Sequence, residues 1–211
     1  MDGPSASVRG ILFDMDGVVV RQRLDFHAIK LEIFGTPEGF VLERLGALPP
    51  AERPRAEAIL ERHETAAAQT AEPMDGIRAF HEWMQARGLK SGLVTRNSRK
   101  SVGLVLARLG LRFDAVVARE DAPPKPSPEP VWLACRRMEV PPDEVVFIGD
   151  FEFDMQAGRR AGVRTVLLRS PVCRASADAD IIVDSLAELH ERLEHELAVS
   201  RAAVRREEKG H

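Results

Sequence analysis

Tyrosine is missing from this chain, and aromatic residues make up only 5% of its 211 residues. A base-stacking surface for single-stranded nucleic acid needs aromatic faces, so the composition argues against one. Excess positive charge is missing too. Thirty basic and 33 acidic residues give a formal net charge of −3, which leaves no electrostatic footprint for nucleic acid. Cysteine is scarce. Cys135 and Cys173 have no partner at CxxC spacing, which excludes a thiolate metal knuckle and reads as two free thiols in a reducing cytoplasm. No apolar run is long enough to span a bilayer, and no charged-then-apolar signal opens the sequence, so no membrane partner is expected.

What is present is a hydrophobic fraction of 44%, enough for one full α/β core and a small insertion. Residues 1–7 read as a loose polar leader. Residues 8–20, VRGILFDMDGVVV, set the frame: the apolar run Ile11-Leu12-Phe13 stops at Asp14-Met15-Asp16-Gly17. This reads as a buried strand ending in two acids and a glycine turn. Two acids so close repel one another, and a bound cation is the simplest compensation.

Between residues 21 and 73 the pattern is helical. Phe26, Ile29, Ile33 and Phe34 recur at helical spacing, and Thr36-Pro37 reads as the cap and first residue of a second helix. Residues 52–70, rich in alanine and glutamate, form a third helix anchored by Ile59 and Leu60. After Pro73 strands and helices alternate regularly. Strands are expected at 91–94, 115–118, 145–148, 165–168 and 181–183. Helices are expected at 75–87, 98–109, up to Met138, at 151–161 and at 185–199, with a fraying tail beyond. The fold class that follows is α/β: a doubly wound, mainly parallel sheet. Its core spans 1–20 and 74–211, with a small all-helical cap at 21–73.

Polar residues gather at four strand ends. Asp14 and Asp16 are the first pair. Thr95-Arg96-Asn97-Ser98 opens a helix, where side chains and free N–H groups can hold an oxyanion or simply cap the helix. Lys125 sits in the stiff loop Pro123-Pro124-Lys125-Pro126-Ser127-Pro128, where a fixed ammonium can neutralise a carboxylate and a phosphate. Gly149-Asp150 ends an apolar strand on the same sheet edge as Asp14, with Asp154 one turn into the next helix and Glu152 solvated between them. Asp14, Asp16 and Asp150 make an oxygen-rich site of the kind that holds Mg²⁺.

In these four motifs, in this order, the chain resembles the haloacid dehalogenase-like superfamily over nearly its whole length. The short insertion resembles the cap of its phosphoglycolate phosphatase-like branch. The resemblance implies a sheet ordered 5-4-1-2-3 and a cytoplasmic, Mg²⁺-dependent phosphatase acting on a small phosphorylated metabolite, as a monomer or weak dimer. It implies that Asp14 is the nucleophile forming an aspartyl-phosphate, and that Asp16 is general acid and then general base, with its backbone carbonyl on the metal beside Asp14 and Asp150. Thr95, with the N–H groups near Arg96 and Asn97, would bind phosphate. Lys125 would stabilise charge on Asp14 and on the transferring phosphoryl, and Asp154 would orient a metal-bound water or Lys125. Val18 stands where the family commonly has threonine, and that hydroxyl is not one of the catalytic groups.

Arg21 and Arg23, where the chain enters the insertion, are candidates for contacting an anionic part of the substrate, against a reading as hinge-surface arginines. The same core also serves sugar phosphomutases and phosphonatases. A phosphonatase would need Lys30 as a Schiff-base lysine, whereas its helical spacing turns it to solvent. Dehalogenation is weakest, because those relatives lack the acid that stands here as Asp16. A non-catalytic binding protein would be expected to have lost Asp14 or Asp16. The six histidines read as surface or rim residues.

Overall fold

The computed structural model describes residues 8–21 and 24–209. The leader and Arg23 lie outside the described residues. Strands β1 (Gly10–Phe13), β2 (Lys90–Val94), β3 (Ala115–Val117), β4 (Val145–Gly149), β5 (Arg164–Leu168) and β6 (Ile181–Val183) form one parallel sheet. Its order is β3-β2-β1-β4-β5-β6, the expected 5-4-1-2-3 arrangement with β6 added beyond β5. The strands read as continuous apolar runs because helices cover both faces. Ile11 and Phe13 face one helical layer with Leu93, Val146 and Ile148. Leu12, between them, faces the other layer with Val94 and Phe147.

The first layer holds α4 (Ile77–Ala86), α5 (Arg99–Leu109) and α8 (Leu186–Lys209), which supply Phe80, Met84, Val105 and Leu189. The second holds α6 (Glu129–Met138) and α7 (Glu152–Ala161), which supply Val131, Ala134 and Ala157. Phe13 is wholly buried edge-on against Phe80. Burial of one such ring contributes about 1.5–3 kcal/mol. The last helix runs past the expected end near Val199 to Lys209.

Three helices lie between β1 and α4: α1 (Phe26–Phe34), α2 (Val41–Ala47) and α3 (Arg53–Gln69). They share a small core of Ile29, Val41, Leu45, Ala56 and Leu60, with Ile59 only partly buried. Ala68 and Ala71 pack instead into the main core beside Val102 and Val105 of α5. The chain enters and leaves this insertion along two adjacent segments: the Arg21 N–H donates to the Glu72 carbonyl at 3.0 Å, and the Met74 N–H to that of Val19 at 2.9 Å. Thr36-Pro37 does not open α2. A left-handed Gly39 intervenes, α2 begins at Val41, and the Thr36 carbonyl and hydroxyl instead accept hydrogen bonds from Arg44.

Candidate active site

Strands of this sheet end on one edge, and β1 and β4 deliver their acids there. Asp14 follows β1, its N–H bonded to the Ile148 carbonyl at 2.9 Å, which fixes it next to the end of β4. Asp150 follows β4. Gly17, at φ +80°, turns the chain so closely past Asp150 that a side chain there would collide with its carboxylate. Carboxylate oxygens of Asp14, Asp150 and Asp154 lie within 4.8 Å of one another.

Lys125 stands among them, only 2% exposed. Its ammonium meets Asp14 Oδ1 at 2.5 Å, Asp154 Oδ1 at 2.5 Å and the Val94 carbonyl at 3.0 Å. Such charge-assisted bonds keep a buried lysine charged, and its pKa is raised although burial alone would lower it. Asp154, in the first turn of α7, also accepts the Phe151 N–H at 3.1 Å, so it caps the helix and pairs with Lys125 at once.

The carboxylates outnumber this cation. Burial pushes Asp14 up to about 7 despite Lys125, with Asp154 and Asp16 adding to the rise. Burial likewise pushes Asp150 to about 8, with Asp14 and Asp154 adding. A hard divalent cation bound by carboxylate oxygens suits this donor set, because it would remove the repulsion that holds these acids up. Asp14, Asp150 and Asp154 are close enough together that their carboxylates could hold one.

Asp16 stands apart from that cluster. The Asn97 amide donates a short hydrogen bond to its Oδ2. Burial raises its pKa to about 6, Asn97 opposes the rise and Glu64 reinforces it. Thr95 is buried at the end of β2, where its hydroxyl accepts the Asn97 N–H at 3.2 Å. Ser98 caps α5 by accepting the Ser101 N–H, and Glu120 accepts the Arg99 N–H at 2.9 Å, which leaves the Asn97 side chain to Asp16.

The side chain of Arg96 turns to the insertion. Its Nη2 meets both carboxylate oxygens of Glu43 in α2 at 2.8 Å, Nη1 donates to the Lys125 carbonyl at 3.1 Å, and its guanidinium lies 5.0 Å from the Phe153 ring. Periodicity alone does not anticipate this bridge. Nor does it anticipate Arg119, which pairs with Glu64 of α3. Glu64 is 2% exposed and also accepts the Ser98 N–H at 3.2 Å. A signal for it exists: Ala56, Leu60, Glu64 and Ala68 are spaced by four and form one buried stripe, so Glu64 is the acid on the apolar face.

A cavity of about 500 Å³ opens above the acids, between the sheet edge and the insertion. It is lined by Asp14, Asp16, Thr95, Asn97, Lys125 and Asp150, and on its far side by Lys30, Phe40, Phe151 and Phe153. Lys30 therefore does not turn to solvent as expected. It is partly buried, with its ammonium on the Gly39 carbonyl at 3.3 Å. Arg21 pairs with Asp75 at 2.5 Å on the hinge and is not among the described residues lining the cavity. Glu152 is exposed, as expected. His81 corrects the reading of the histidines: it is buried, its ring nitrogen 2.7 Å from the Arg112 carbonyl and its ring edge-on to Phe113. Cys135 and Cys173 are free and buried. No helix among the described residues is long and apolar enough to cross a membrane.

Fold, strand-end acids and the buried lysine together define a haloacid dehalogenase-like hydrolase. Residues 11–168 match the model of that family, and the chain belongs to it. A haloacid dehalogenase-like hydrolase domain-containing protein of Arabidopsis thaliana is 28% identical over 206 residues, covering 89% of this chain and 84% of its own. The N-acetylmuramic acid 6-phosphate phosphatase of Pseudomonas aeruginosa is 29% identical over 218 residues, covering 90% and 96%. Among solved structures, CbbY from Rhodobacter sphaeroides in complex with phosphate superposes with a TM-score of 0.70 at 26% identity, covering 86% of this chain and 96% of that one.

Proposed function

We propose that this protein is a Mg²⁺-dependent phosphatase that hydrolyses a small phosphorylated metabolite through an aspartyl-phosphate on Asp14. The observation that carries the reading is the placement of one buried lysine between Asp14 and Asp154, with Asp16 held separately by Asn97. The two acids needed for nucleophilic attack and for proton transfer thus have different partners and different environments.

In the first step an Asp14 oxygen attacks phosphorus and the bond from phosphorus to the leaving oxygen breaks. Asp16, protonated at the outset, gives its proton to that oxygen. In the second step water attacks phosphorus, Asp16 takes a proton from it, and the bond from phosphorus to Asp14 breaks. Thr95 and the N–H groups of residues 96–97 hold the phosphoryl oxygens just before α5, the Asn97 N–H turning to the anion from the Thr95 hydroxyl that it meets at 3.2 Å. Lys125 offsets charge on Asp14 and on the transferring group. A bound Mg²⁺, held by Asp14, Asp150 and the Asp16 carbonyl, supplies further charge compensation when present.

Residues 21–73 act as a cap that shields this chemistry from bulk water. The name of the Pseudomonas aeruginosa relative, N-acetylmuramic acid 6-phosphate phosphatase, supports a phosphorylated metabolite as substrate. Lys30 is engaged by the Gly39 carbonyl at 3.3 Å, which speaks against a Schiff-base role. The test is phosphate release from a panel of phosphate esters, with Mg²⁺ or with chelator, by the native protein and by Asp14→Asn. Release that needs Mg²⁺ and falls about a thousandfold or more in the variant is the expected result. Release that survives Asp14→Asn rejects the mechanism.

A further inference from the structure

The cavity above the acids has two unlike walls, polar at the sheet edge and largely apolar opposite it. Its far wall is formed by Phe40, Val41 and Leu42 of the insertion and by Phe151, Phe153 and Val172 of the core. The three phenylalanines form one cluster: Phe40 to Phe153 at 4.7 Å, Phe151 to Phe153 at 5.2 Å and edge-on, Phe40 to Phe151 at 6.1 Å.

Phe40 stays 47% exposed and Val172 73% exposed. Phe40 also occupies the N-cap of α2, a position where a side-chain oxygen normally helps, and makes no capping bond there. A large apolar side chain that neither caps its helix nor completes a core leaves an apolar face for something else to cover.

Polar side chains bordering this wall are already engaged with the protein. Arg96 pairs with Glu43, Arg119 with Glu64, Lys30 meets the Gly39 carbonyl, and the Ser170 hydroxyl donates to the Asp150 carbonyl at 3.1 Å. A polyhydroxylated leaving group would lose its water against phenylalanine and gain few partners beyond the Lys30 ammonium, whereas an aromatic one would bury area and meet ring edges. The volume of about 500 Å³ suits a ligand larger than a two-carbon acid.

We infer that the alcohol released by this enzyme is bulky and apolar, with an aromatic ring seated against Phe40, Phe151 and Phe153; the inference rests on the phosphatase reading above. The phosphate end is taken by Thr95 and Lys125, and the ring end is selected by the insertion.

Two esters of primary alcohols test it, because their leaving groups have similar acidity: 4-phenylbutyl phosphate and glycerol 3-phosphate, each with Mg²⁺. The native enzyme should favour the phenylbutyl ester by about tenfold or more in kcat/KM, expressed mainly in KM. Phe40→Asn and Phe153→Asn should each move that ratio toward one by raising KM for the phenylbutyl ester. The glycerol ester, measured in parallel, shows whether the catalytic end still assembles. Release from both esters with glycerol 3-phosphate equal or preferred overturns the substrate class and leaves the phosphatase reading standing. A phenylbutyl preference that neither variant changes overturns the assignment to this wall. Absence of release from either ester, and from the wider panel, overturns the phosphatase reading and the inference with it.

Discussion

Lys125 is the cation that two buried carboxylates, Asp14 and Asp154, share. Removing one member of such a group leaves the others desolvated and unpaired, so Lys125→Met should destabilise the fold by about 3–5 kcal/mol at pH 8, read by denaturant unfolding, besides abolishing turnover. Asp150 should behave in the opposite way. An acid whose folded pKa lies above its unfolded value binds more protons folded than unfolded, so stability falls as pH rises between the two values and levels off above the higher one. For Asp14, raised from 3.8 to about 7, and Asp150, raised from 3.8 to about 8, that window runs from about 4 to about 8. Metal-free protein should therefore melt higher at pH 5 than at pH 8. Asp150→Asn should narrow the gap by raising the pH 8 midpoint, and Mg²⁺ should stabilise the native protein more at pH 8 than at pH 5. A lower midpoint for Asp150→Asn at pH 8 would contradict the repulsion assigned to these acids.

At the scale of elements, ion pairs of unequal weight hold the helices of the insertion to the core, besides the hinge pair Arg21–Asp75. Glu64–Arg119 joins α3 to the loop after β3 and is largely buried; Arg96–Glu43 and Lys100–Glu61 are more exposed. Exposed pairs contribute about 0–1 kcal/mol. Glu64→Ala should cost about 2 kcal/mol, below the range for a fully buried pair because Arg119 keeps some solvent. Hydrogen exchange in α1 to α3 should accelerate in Glu64→Ala and change little in Lys100→Ala. Equal effects would mean that burial does not set the order. Sequence patterning reads the elements well, because strands covered on both faces have no polar alternation and their ends are marked by Asp, Thr or Gly. It misreads the start of α2, where Thr36-Pro37 looks like a cap but Gly39 redirects the chain. It also stops α8 too early, since charge alone does not break a helix.

For the molecule as a whole, the residues legible in the sequence are those whose local setting is abnormal: acids ending apolar strands, and a lysine in a run of prolines. Asp14, Lys125, Asp150 and Asp154 meet at one sheet edge. What was not legible depends on how two halves of the chain face each other. Arg96 and Arg119 look like ordinary surface arginines until the insertion brings Glu43 and Glu64 to them, and the aromatic wall exists only where Phe40 meets Phe151 and Phe153. The hinge pairs residues more than fifty positions apart, Arg21 with Asp75, for the same reason. The proposed chemistry turns on a covalent phosphoryl group on Asp14. Rapid acid quench during turnover with Mg²⁺, followed by mass spectrometry of the peptide spanning residues 10–21, tests it most directly. One added phosphoryl group on Asp14, absent in Asp14→Asn, is the result predicted. Steady turnover with phosphate on no residue, or on a residue other than Asp14, would contradict it.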